Sequence, residues 1–153
     1  MLKLRCEGGR KVPKKNQIQI QFASNSVNEG FARVAVSSFI SQLDPTVEEL
    51  YDIKMAVSEA VTNCIIHGYN NKEDGLITIK CAYEERNIEI EIVDEGKGIL
   101  NVEDAMTALY TTSLEEERAG LGFTVMQSMM DEVKVFSQMG KGTTVKMKRS
   151  LAV

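Results

Sequence analysis

Two neighbouring segments, Leu76 to Tyr83 and Ile88 to Val93, alternate apolar and polar residues and are separated only by the polar run Glu84 to Asn87. Alternation sends every second side chain to the same face of a strand, so the pair reads as an antiparallel hairpin with one apolar face. That face needs a cover, and the preceding residues have helical period. Phe31, Val34, Ala35, Phe39 and Leu43 fall at three- and four-residue steps within Ser24 to Leu43, a helix that Asp44 and Pro45 end. Thr46 with Glu49 forms a capping box, after which Leu50, Ile53, Val57, Val61 and Ile65 continue a stripe until Gly68. A short strand over Gln17 to Phe22 comes first. A third helix follows Gly120, and strands at Glu132 to Ser137 and Thr143 to Met147 close the chain across Gly140 to Gly142. Residues 100–120 carry little pattern and read as a mobile loop. The expected fold is α+β: a two-layer sandwich with helices on one face of a mixed, mainly antiparallel sheet.

With 153 residues, 43% of them hydrophobic, the chain has material for one core. We place a single domain at 16–150. Residues 1–15 stand apart: Lys3, Arg5, Arg10, Lys11, Lys14 and Lys15 against Glu7 give them a net charge of +5 inside a chain of net −4. They read as a basic, disordered extension. The overall negative charge argues against general nucleic-acid binding. Three cysteines (Cys6, Cys64, Cys81) and one histidine fit neither a disulfide framework nor a zinc site. No apolar run approaches the roughly 20 residues of a membrane span, so a cytoplasmic protein is expected.

Four short motifs carry the chemistry. Glu59, Asn63 and His67 are spaced by four, which on a helix lines them along one edge beside the apolar Ala60, Val61, Cys64 and Ile65. Asn63 offers a carbonyl oxygen suited to a hard divalent cation, and Glu59 a carboxylate suited to a proton. By themselves these residues also describe an ordinary solvated face. DEGKG (Asp94 to Gly98) ends a strand; its glycines allow a sharp turn close to a flat ligand, and Asp94 can accept a hydrogen bond from an exocyclic amine such as that of adenine. An acidic turn is the plainer alternative. Gly120 and Gly122, placed just before a helix, would offer backbone amides to phosphates, with Arg118 adding charge. GKGTT (Gly140 to Thr144) is a hairpin turn or, through Thr143, a contributor of hydroxyls to a base pocket. Their order and settings agree on an ATP site.

Over residues 17–148 the chain resembles the ATPase superfamily shared by gyrase, the heat-shock protein of about ninety kilodaltons, sensor histidine kinases and mismatch-repair proteins. The resemblance implies that Asn63 binds Mg2+, Asp94 reads the adenine amine with Gly96 and Gly98 beside it, and Gly120 and Gly122 belong to a lid over the triphosphate. Within that superfamily, NEGFARVAV (Asn28 to Val36), VSEAVTNCIIHGY (Val57 to Tyr69) and ERAGLGFTVMQSMMDEV (Glu117 to Val133) are similar to the anti-sigma-F factors of endospore-forming bacteria. Those are protein-serine kinases that hold a sporulation sigma factor inactive and phosphorylate a small anti-anti-sigma protein. The resemblance implies Glu59 as the base toward that serine, Arg118 as a phosphate or partner contact, Arg33 on the helix that meets the sigma factor, ADP as product and a homodimer.

A sensor histidine kinase would need a phosphoacceptor histidine, and the only histidine is His67, inside the nucleotide motif. Gyrase-like and chaperone-like ATPases complete their sites with a lysine from a second domain, which speaks against them here. A module that binds ATP and sequesters its partner without phosphate transfer is the remaining alternative.

Overall fold

The computed structural model describes residues 12–107 and 114–153, and the side chains of 114–121 lie outside that description. Five strands, β1 (Lys15–Ala23), β2 (Leu76–Glu84), β3 (Asn87–Asp94), β4 (Glu132–Gln138) and β5 (Gly142–Ser150), form one sheet in the order β1-β2-β3-β5-β4. Every pairing is antiparallel, which corrects the expectation of a mixed sheet. The helical crossover from β3 returns on the far side of β5. β3 and β4 thus run the same way but never touch.

The register explains the alternation. Ile18, Cys81, Ile90 and Met147 sit opposite one another across four strands on the inner face. One residue along, Gln19, Lys80, Glu91 and Lys146 make an outer row in which Glu91 pairs with Lys80 at 3.1 Å and Lys146 at 3.0 Å. Such exposed pairs contribute little individually, but they keep a broad sheet face wet.

The inner face is covered by α1 (Val27–Ile40), α2 (Val47–Asn63) and α4 (Leu114–Met129), with a short α3 (Val102–Met106) between β3 and α4. Ile53, Ala56, Val57, Ala60 and Val61 of α2 are all fully buried, so this helix lies at the centre of the layer. Its capping box forms as expected: Thr46 Oγ1 accepts from the Glu49 N–H at 3.1 Å, and Glu49 accepts from the Thr46 N–H at 2.9 Å. The other Glu49 oxygen accepts from the Ala152 N–H at 2.6 Å, tying the chain end to the start of α2.

On α1 the buried face differs from the expected one. Phe39 and, in the turn after the helix, Leu43 are buried as expected and are joined by Ala32, Val36 and Ile40, whereas Phe31 and Val34 are each 59% exposed. Both sets have helical period, and only packing against α2 selects between them. The 100–120 region also holds more structure than expected, because α3 and the first turns of α4 lie within it. Thr111, Thr112 and Ser113, and residues 1–11 of the basic extension, fall outside the described residues.

Candidate functional site

The first motif sits where α2 changes character. Glu59 and Asn63 are half-buried one turn apart, beside the fully buried Ala60 and Val61. From Cys64 to Gly68 the backbone widens into a π-turn, closed by the Tyr69 N–H to Cys64 carbonyl bond at 2.9 Å. The wider turn begins between Asn63 and His67, so only Glu59 and Asn63 share the regular α-helical row. Single π-turns are rare and occur often at functional sites. Here the turn delivers Gly68 against the Asp94 carboxylate, where a Cβ on Gly68 would stand 3.0 Å from Oδ1.

Helix α4 closes over the same two side chains. A Cβ on Gly122 would lie 3.1 Å from Asn63 Nδ2 and 3.2 Å from Glu59 Oε2, so the missing side chain leaves their head groups room. Asn63 Nδ2 is buried without a hydrogen-bond partner. A buried orphan amide is uncommon, and its place beside a carboxylate marks a spot for a polar ligand. Among the described residues no three His, Cys, Asp or Glu side chains are grouped to hold a metal ion. Such a site suits Mg2+ only in the mode in which substrate phosphates and water supply most ligands and the protein adds one or two oxygens, here the Asn63 carbonyl.

Asp94 ends β3 and is 4% exposed. Burial raises its carboxyl above the ordinary range, partly offset by the Gly96 N–H, the Cys64 thiol and the Thr143 N–H. Cys64 is pushed further up by burial and by the nearby Asp94 charge, so it remains a neutral donor. The loop after Asp94 is stapled to the end of the π-turn. The Glu95 N–H donates to Tyr69 Oη at 2.7 Å, the Gly96 N–H to Asp94 Oδ1 at 2.9 Å and the Lys97 N–H to the Gly68 carbonyl at 2.9 Å. A Cβ on Gly96 would stand 2.2 Å from the Gly68 oxygen. Close backbone packing thus demands this glycine before any ligand does. Gly98, at φ 78°, turns the loop toward the β4–β5 hairpin, where the Gly140 N–H donates to the Lys97 carbonyl at 2.8 Å.

The remaining candidates are less close to this centre. Thr143 is buried beside Asp94, but its hydroxyl lies 2.9 Å from Ser137 Oγ and is already engaged. Gly120 and Gly122 fall inside α4, which starts at Leu114, so neither heads a helix in this structure as expected. The side chain of Arg118 lies outside the described residues. Arg33 stands on α1, its buried Nε 3.8 Å from Glu29 Oε1 as an ion pair but without a hydrogen bond. Glu29 also accepts from Ser58 Oγ at 2.5 Å, which links α1 to the residue preceding Glu59. Sequence reasoning missed the parts played by Tyr69 and Cys64. A phenol directly after the helix-stopping Gly68 was the available signal.

Comparison with known proteins gives the chain its family. The family model of the histidine kinase-like ATPase domain matches residues 22–149. The chain is similar to an anti-sigma F factor of Thermoanaerobacter sp. (strain X514), with 61% identity over 132 residues covering 86% of this chain and 92% of that protein. It is also similar to the anti-sigma F factor of Clostridium acetobutylicum, at 56% over 138 residues covering 90% and 96%. Among solved structures, the RsbU and RsbW domains of Rv1364c from Mycobacterium tuberculosis superpose with a TM-score of 0.65 at 17% identity. That match covers 89% of this chain but about a third (32%) of that one. The catalytic domain of the histidine kinase ThkA superposes with a TM-score of 0.53 at 14% identity, covering 88% and 98%. At such identities the structures speak for the fold.

Proposed function

Because the chain belongs to the anti-sigma F factor family and is built on a histidine kinase-like ATPase domain, we propose that it is an ATP-dependent protein-serine kinase that also restrains a sporulation sigma factor. Its substrate is a serine hydroxyl of a small anti-anti-sigma protein. The observation that carries the reading is that Glu59 and the Asn63 amide, which has no hydrogen-bond partner, lie together under Gly122, next to the π-turn whose Cys64 and Gly68 meet the buried Asp94.

Asp94 accepts the adenine amine, and the Gly96–Gly98 loop holds its carboxylate in place. Asn63, together with the phosphates, would hold Mg2+, which would supply neutralising charge to the triphosphate. Gly120, Gly122 and Arg118 belong to the lid over the phosphates, and Thr143 supports the base pocket. The serine oxygen attacks the γ-phosphorus, the bond to the β–γ bridging oxygen breaks, and ADP leaves. Glu59 takes the serine proton. Phosphoryl transfer of this kind depends mostly on positioning and charge stabilisation. Arg33, on the helix that also exposes Phe31 and Val34, meets the sigma factor, and the working unit is a homodimer in the cytoplasm.

Glu59→Ala separates the steps: transfer to the partner serine falls by about 100-fold or more, as for loss of a general base, while ATP binding measured by calorimetry stays within about twofold. Unchanged transfer would remove Glu59 from the base role. Tight ATP binding without transfer in the unaltered protein would favour the sequestering module.

A further inference from the structure

Tyr69 is the first residue after the π-turn, and its phenol joins three segments. Its Oη accepts from the Glu95 N–H at 2.7 Å and donates its own hydrogen to the Leu76 carbonyl at 2.5 Å. The ring rests on Gly75, where a Cβ would come within 2.5 Å of two ring carbons. One side chain therefore ties together the end of the motif helix, the first residue of β2 and the residue after Asp94.

The amides of the loop show why this matters. Glu95 donates to Tyr69, Gly96 to the Asp94 carboxylate and Lys97 to the Gly68 carbonyl. Of these acceptors only the Tyr69 hydroxyl is a side chain from a distant segment of the chain. The Gly96 N–H that orients Asp94 belongs to the residue directly after Glu95. A shift of the Glu95 backbone therefore moves the donor that aims the carboxylate.

We propose that Tyr69 is a positioning residue for nucleobase selection, whose hydroxyl holds Glu95 so that the Asp94 carboxylate favours a purine bearing an exocyclic amino group. This rests on the reading of Asp94 as the acceptor for that amine. Tyr69 is only half-buried and both of its hydrogen bonds lie at the exposed edge, so water can solvate the Glu95 N–H and Leu76 carbonyl once the hydroxyl is gone. What is lost is the aim of the acceptor.

The test compares ATP with purine riboside triphosphate, which lacks the 6-amino group, by calorimetry in the presence of Mg2+. The unaltered protein prefers ATP. In Tyr69→Phe that preference shrinks by about five- to tenfold, the worth of roughly one hydrogen bond, while binding of the analogue changes by less than about twofold. Gly75→Ala, which leaves the hydroxyl intact but displaces the ring, gives the same loss of preference. If both nucleotides weaken equally in Tyr69→Phe, or if Gly75→Ala melts cooperatively with its preference intact, Tyr69 is merely structural and the proposal fails. If the unaltered protein itself shows no preference, the assignment of Asp94 is wrong and the role of Tyr69 falls with it.

Discussion

Gly96→Ala tests how the nucleotide loop is held. The new methyl carbon would meet the Gly68 oxygen at 2.2 Å, its carbonyl carbon at 2.4 Å and its Cα at 2.7 Å, all backbone atoms that cannot rotate away. Ordinary contact needs about 1 Å more, so either the loop or the π-turn must move. Overpacking of this kind costs about 1–3 kcal/mol, and loss of the Lys97 N–H to Gly68 hydrogen bond adds about 1 kcal/mol. For a domain of this size the sum lowers the melting temperature by roughly 5–15 °C. Gly96 does not adopt a positive φ, so the cost is steric rather than conformational. Because the Gly96 N–H orients Asp94, ATP affinity falls by about tenfold or more. Thermal unfolding by circular dichroism and calorimetric titration with ATP read the two effects. A variant that melts within about 2 °C of the parent and binds ATP equally well would show that the loop does not rest on Gly68.

Three further outcomes follow from the same geometry. The Asp94 carboxyl is raised by burial, so ATP affinity declines on acidification at a pH above the ordinary carboxylate range. In the ligand-free protein this group's stabilisation is present below its unfolded pKa and lost as pH rises through the folded one; Asp94→Asn removes both trends. Glu49 is held below its ordinary range by the Ala152 and Thr46 N–H groups, so its stabilisation is present above its unfolded pKa and lost as pH falls through the folded one. Glu49→Gln therefore costs about 1 kcal/mol in urea unfolding at neutral pH, and the gap to the parent narrows in acid. Replacing Phe31 and Val34, each 59% exposed, by serine leaves the melting temperature within about 2 °C but weakens sigma-factor binding in a pull-down titration. A fold that collapses on this change would place these side chains in the core.

Features set by neighbours in sequence were legible from the chain. Alternation over 76–83 and 88–93 yielded the central hairpin, and Thr46 with Glu49 located the start of α2 and its cap. Features set by what lies opposite were not. Phe31 and Val34 have the same period as Val36 and Phe39, so the inward face of α1 depends on the position of α2. The π-turn at Cys64 has no periodic signature, yet it brings Gly68 to Asp94. The glycines of DEGKG were visible, but Gly96 serves contact with a backbone 28 residues earlier in the chain. Tyr69 went unnoticed for a similar reason: its partners, Leu76 and Glu95, become neighbours only when the hairpin folds back.

The kinase reading is tested most directly by following the γ-phosphate. With γ-labelled ATP, Mg2+ and candidate small anti-anti-sigma proteins, the protein is expected to place label on one partner serine in step with ADP formed. Label released as free phosphate, or ATP held tightly with no label on the partner, would contradict it.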